Sequence, residues 1–141
     1  MELTLDLSKI LRLLGLATAA FGVGPIVAPR GFARLFGLAY DDTRPSSNMP
    51  IRSVGIRDLV TGIGLLAASG DPRRARLWLA IRVSADGGDA LTSLAGIRGE
   101  PRNYRLMALA TIAAGATLTD LALLIASARG NPAERKETAS E

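Results

Sequence analysis

Seven ionisable side chains stand inside otherwise apolar sequence: Arg52, Arg57, Asp58, Arg82, Asp86, Asp89 and Asp120. Arg82, Asp86 and Asp89 recur at intervals of four and three, and Ser93 continues the row, so one face of a helix carries them all. Two carboxyls one helical turn apart resist being ionised together. One of Asp86 and Asp89 is therefore expected to keep a proton at neutral pH and to act as a general acid. The chemistry that fits is protonation of an alkene, epoxide or carbonyl, with Arg52 or Arg57 holding an anionic or oxygenated end. The catalytic candidates are Asp86, Asp89 and Asp58, the substrate-binding candidates Arg52 and Arg57. Arg82 and Asp120 are expected to form a structural ion pair.

Composition removes most rival chemistries. The chain of 141 residues contains no His and no Cys, which excludes a Ser-His-Asp triad, a thiolate nucleophile, a Cys/His zinc site and disulfides. Acid-base chemistry on Asp and Arg calls for no cofactor and no metal. Lys and Arg number 17 against 13 Asp and Glu, but aromatics are only 4% and the arginines are scattered, so no nucleic-acid partner is expected. Only Lys9 and Lys136 are lysine, a bias of GC-rich coding rather than of an RNA-binding face.

The elements that must position the seven residues are four Leu/Ala/Ile/Val/Gly-rich segments, roughly Leu7 to Val27, Pro50 to Ser69, Arg74 to Gly96 and Arg105 to Ala128. Each approaches the length that crosses a ~30 Å hydrocarbon core. Apolar/polar alternation is absent, so strands are unsupported. Leu13 to Pro29 and Leu106 to Thr119 carry no charge and lack the polar stripe of a soluble amphipathic helix. The expected fold is all-α, a four-helix transmembrane bundle with a short interfacial helix, Gly31 to Leu38, between helices 1 and 2. Residues 1–130 form the membrane domain and 131–141 a polar, disordered tail. Lys9 and Arg12 ahead of an apolar run also fit a signal peptide, but no small-x-small cleavage site follows, so the run is read as a mature first helix.

Further details belong to the same reading. Tyr40, Trp78 and Tyr104 fall near segment ends, where aromatics anchor at headgroups. Small residues at Gly15/Ala19/Gly22 and Ala108/Gly115 would permit close helix packing, unless they reflect Ala/Gly abundance alone. Four spans put both termini on one side, and the basic bias, including Arg73, Arg74 and Arg76, places that side in the cytoplasm of a bacterial inner membrane. The Gly62-Ile63-Gly64-Leu65-Leu66-Ala67 spelling lacks the preceding strand of a dinucleotide site. Asp41-Asp42 is a turn before Pro45 rather than a metal pair.

Depth sorts the charges. At ~1.5 Å per residue Arg57 and Asp58 lie about 10 to 12 Å below Pro50 and Asp89 about 14 Å below Arg98, which puts the three in one layer. Arg82 lies ~24 Å from Arg98 and Asp120 ~22 Å from Arg105, a reasonable pair. Each charge at the bilayer centre costs ~2.5 to 3.5 kcal/mol, so all must face one another, a cavity or water. The glycines of Asp86-Gly87-Gly88-Asp89 either unwind the helix there, admit a ligand or backbone closely, or mark a tight contact of a continuous helix.

The string Arg52-Ser53-Val54-Gly55-Ile56-Arg57-Asp58-Leu59-Val60-Thr61-Gly62, followed by Gly88-Asp89-Ala90, resembles the domain of unknown function 4267 family, small membrane proteins of bacteria and fungi. Its R-x-x-G-x-R-D-x-x-x-G and G-D-A motifs match here at Arg52, Gly55, Arg57, Asp58, Gly62, Gly88, Asp89 and Ala90, within a likeness running from Leu13 to Ala128. The resemblance implies a membrane protein and carries no activity. Three functions remain open: a pocket for a hydrophobic small molecule with acid-base isomerase or cyclase chemistry, a proton- or cation-coupled transporter subunit working as a homo-oligomer, and an accessory protein whose charges are structural.

Overall fold

The computed structural model describes residues 6–38, 41, 43–99 and 104–129. Tyr40, Asp42, Glu100, Pro101 and the 131–141 tail lie outside the described residues. Among the described residues every regular element is a helix: α1 (Leu7–Val27), α2 (Pro29–Phe36), a 3-10 turn (Pro45–Ser47), α3 (Asn48–Ala68), α4 (Pro72–Gly99) and α5 (Tyr104–Arg129).

Local chemistry sets the boundaries. Asp6 caps α1 by accepting from the Ser8 N–H, and Pro25, in the last turn, has no N–H to give the Phe21 carbonyl, two residues before the helix ends. Pro29 opens α2 at a position whose N–H would be unsatisfied anyway. Gly37 closes it with φ 64°, a left-handed conformation that only glycine adopts freely. Asp41 accepts from the backbone and hydroxyl of Thr43 at 2.9 and 2.6 Å, the expected turn. Asp71 receives the N–H groups of Arg73 and Arg74 at the start of α4; these donors, Arg74's first, hold its carboxyl below the usual carboxylate range.

The helices associate as two close pairs, α1 with α3 and α4 with α5, while α3 and α4 touch less and α2 crosses to α1, α3 and α5. Glycine makes the first pair close. A Cβ on Gly15 would fall 2.7 Å from the Gly62 carbonyl oxygen, and one on Gly22 would fall 2.6 Å from that of Gly55. Backbones in direct contact gain dispersion energy over their whole length and need no large side chain between them. The expected Gly15/Ala19/Gly22 contact is present. Its counterpart at Ala108/Gly115 is not, because a Cβ on Gly115 meets nothing within 4 Å.

Leu11, Leu65, Ala68, Ala75 and Leu79 form an apolar core at the end where α1 and α4 begin, with Trp78, Leu123 and Leu124 packed on it. Trp78 is half-buried and lies on Gly64, where a Cβ would meet its ring. That ring is a packing residue of this core. Arg12 donates to Ser69 at 3.2 Å and Arg76 to the Ser127 carbonyl at 3.1 Å, joining the helix ends there. α1 and α5, over Leu7–Val27 and Tyr104–Ala128, are long and apolar enough to cross a membrane.

Candidate functional site

Away from the core the two pairs separate around a cavity of about 580 Å³. Leu14, Ala17 and Phe21 of α1, Ile51 and Val54 of α3, and Leu109, Ile112 and Ala113 of α5 make apolar walls, and Phe32 of α2 closes one side. Phe21, Phe32 and Phe36 stack edge to face or tilted, with Phe21 and Phe32 centroids 5.5 Å apart. Arg105 donates at 2.7 Å to the Arg34 carbonyl and ties α5 to this side helix.

The polar wall is built on α3 and α4. Arg57 forms a two-pronged bridge to Asp89, Nη1 to Oδ1 at 2.9 Å and Nη2 to Oδ2 at 2.8 Å. Its Nε and Nη2 also donate to Asp58 Oδ1 at 3.0 and 2.7 Å. One guanidinium thus serves two carboxylates with its planar fork. Deeper in the bundle the buried Arg82 donates through Nε to Asp120 Oδ2 at 2.9 Å and through Nη1 to Thr18 Oγ1 at 2.7 Å. Asp86 lies between the layers, 3.9 Å from Arg57 Nη2 and 3.5 Å from Arg82 Nη2. Arg82 thus links it to Asp120. Asp120 is fully buried, and its Oδ1 has no donor.

Six of the seven residues singled out by sequence therefore meet: Arg57, Asp58 and Asp89 in one layer, Arg82 and Asp120 as a pair, and Asp86 joining them. Arg52 does not. It is exposed on α3 and does not line the cavity. α4 runs without a break through Asp86-Gly87-Gly88-Asp89. A Cβ on Gly88 would meet nothing within 4 Å, and one on Gly87 only the Thr117 methyl at 3.8 Å. The glycines neither unwind the helix nor mark a close backbone approach.

Residues 15–133 match a family model. The chain belongs to the DUF4267 family, a domain of unknown function. No curated protein and no solved structure matches it. In this DUF4267 chain five of the eight positions picked out by resemblance fall into two groups. Gly55 and Gly62 are the α3 side of the backbone contact with α1, while Arg57, Asp58 and Asp89 form the bridged layer. The contact seats α3 on α1 so that Arg57 and Asp58 turn toward α4.

Thr18 is the site residue that sequence reasoning passed over. It is the single hydroxyl in the apolar stretch from Leu13 to Pro29, and that isolation was the available signal. It accepts from Arg82 while donating to the Leu14 carbonyl at 2.9 Å, so α1 supplies Arg82 with a further acceptor beside Asp120 of α5 and Asp86 of α4. Thr92 and Ser93 also line the cavity.

Proposed function

We propose that this protein is a four-helix integral membrane bundle that binds a hydrophobic small molecule in the cavity and has the groups for acid-base isomerisation or cyclisation there. The observation that carries the reading is the meeting of a ligand-sized apolar cavity with Asp58, Asp86 and Asp89 on one wall. Cavities of ~300–1,000 Å³ with apolar walls and a few converging polar groups are the usual form of small-molecule sites.

The distribution of exposed apolar side chains supports four spans. Ile56, Val60 and Ile63 of α3 and Leu77, Ile81, Leu91 and Leu94 of α4 are exposed although Arg57, Asp58, Arg82, Asp86 and Asp89 of the same helices face the interior. Apolar outside and charged inside suits lipid as solvent; in water it would leave a large apolar surface wet. The charge pattern also explains why α3 and α4 are less apolar in composition than α1 and α5. In this arrangement both termini share a side, and Arg73, Arg74 and Arg76 favour the cytoplasm of a bacterial inner membrane.

Asp86 is the proton donor of this reading, since it has the longest contacts to a cation of the carboxyls on the wall. Asp89 and Asp58, positioned by Arg57, receive a proton from a neighbouring atom of the ligand, so the reaction is redox-neutral and needs no cofactor. Native mass spectrometry of the detergent-purified protein tests the site. A retained hydrophobic compound, absent from a folded Asp89→Asn variant, is the expected result. An empty wild type with an Asp89→Asn variant that unfolds would make the cluster structural. The excess of carboxyls over guanidiniums also favours a second reading, a proton- or cation-coupled transporter subunit, for which pH-gradient-driven uptake into proteoliposomes is the decisive assay.

A further inference from the structure

The cluster holds four carboxyls, Asp58, Asp86, Asp89 and Asp120, against two guanidiniums, and the deficit of positive charge falls on one place. Arg57 spends its close hydrogen bonds on Asp58 and Asp89, and Arg82 spends its own on Asp120 and Thr18. Asp86 is left with contacts of 3.5 and 3.9 Å and faces the cavity. Behind it stands the orphaned Oδ1 of the fully buried Asp120. With every group ionised, two negative charges are uncompensated in a low-dielectric interior, a state that requires two monovalent positive charges from outside the cluster. Protons can supply both.

We infer that a ligand supplies one: the cavity takes a lipophilic monovalent cation, a hydrophobic amine or onium, with its charge against Asp86 and its apolar body between the α1, α3 and α5 walls. Binding displaces one of the two protons, and the other stays on the cluster as the acid of the proposed chemistry. An anion of the same shape finds both guanidiniums already engaged and is rejected. Phe21 and Phe32 on the cavity wall extend the apolar surface open to the ligand's body. This inference rests on the reading of the cavity as a hydrophobic-ligand site and names the class of that ligand. The charged and titratable groups around Asp86 are Arg57 and Asp58 of α3, Arg82 and Asp89 of α4 and Asp120 of α5, with Thr18 of α1 as the polar neighbour; α2 contributes only Phe32 to the wall, and Leu38 follows it.

The test uses three probes on the full chain in lipid nanodiscs: tetraphenylphosphonium, its isosteric anion tetraphenylborate, and the neutral fluorophore N-phenyl-1-naphthylamine. Saturable phosphonium binding is expected, at least tenfold tighter than borate. It should weaken on acidification, toward tenfold per pH unit where one cation exchanges for one proton. Asp86→Asn should lower phosphonium affinity at least tenfold and leave the neutral probe unchanged. Borate binding as tight as phosphonium, or phosphonium binding indifferent to pH, overturns the inference. The pH series needs no variant, so it decides even where Asp86→Asn does not fold. Saturable binding of the neutral probe alone would refute the cation while leaving the pocket standing. Binding of none of the three would remove the pocket and the inference with it.

Discussion

Arg82 shows how a single side chain is kept charged in an apolar interior. It is buried, and it reaches partners on three helices: Asp120 of α5, Asp86 of α4 and Thr18 of α1. Thr18→Val keeps the shape and removes the acceptor of the 2.7 Å bond, so it is expected to cost about 1 to 2 kcal/mol. The cost is read as a lower thermal unfolding midpoint in detergent, with the exposed Ser84→Ala as an unaffected control. The same scale explains why Arg52 stays apart although it shares a helix and a motif with Arg57. Five residues at about 100° each place it roughly 140° around α3, on a different face. Asp58 is only one residue from Arg57 and points elsewhere, yet the long Arg57 side chain folds back to reach it.

At the scale of elements, the glycines divide by what surrounds them. A Cβ on Gly62 would strike the backbone of Ala19 and Gly15, whereas one on Gly88 would enter open space. Gly62→Ala is therefore expected to lose about 2 to 3 kcal/mol by forcing α1 off α3. Gly88→Ala should gain about 0.5 to 1 kcal/mol by favouring the helix. Unfolding of both variants by the same thermal assay checks the pair, and equal effects would contradict the packing described. Apolar composition and length sufficed to read α1 at its observed bounds. α3 and α4 start two residues earlier than expected, because Pro50 fits in a first turn and Asp71 with Pro72 makes a capped start. Of the readings open for the paired glycines of α4, the continuous helix is the one observed: propensity penalises them, but α4 packs on α5 and runs on unbroken.

For the whole molecule, the proposal of four spans makes a topological prediction that the absence of cysteine renders simple to test. Single substitutions Lys9→Cys and Arg73→Cys should react with a membrane-impermeant maleimide from one face of the bilayer, and Thr43→Cys from the other. All three reacting from the same face would refute the four-span arrangement. The outward apolar side chains of α3 and α4 are the physical basis of this prediction. They were legible only in part beforehand, because charges and apolar residues mix along both helices and only a three-dimensional arrangement assigns them to inside and outside.

The sequence by itself determined that the protein is helical, where its long helices run, which chemistries it lacks, and that Arg57, Asp58, Asp86 and Asp89 are exceptional among their neighbours. Those properties follow from local composition, spacing and rise per residue, which need no knowledge of partners. The tertiary structure alone decided that Thr18 completes the Arg82 site, that Asp86 is the least satisfied carboxyl, and that a cavity separates the two helix pairs. These depend on rotation and separation of helices far apart in the chain. Backbone contact through Gly15, Gly22, Gly55 and Gly62 draws α1 and α3 together, while the loose fit of α3 on α4 leaves the space in which a ligand would sit.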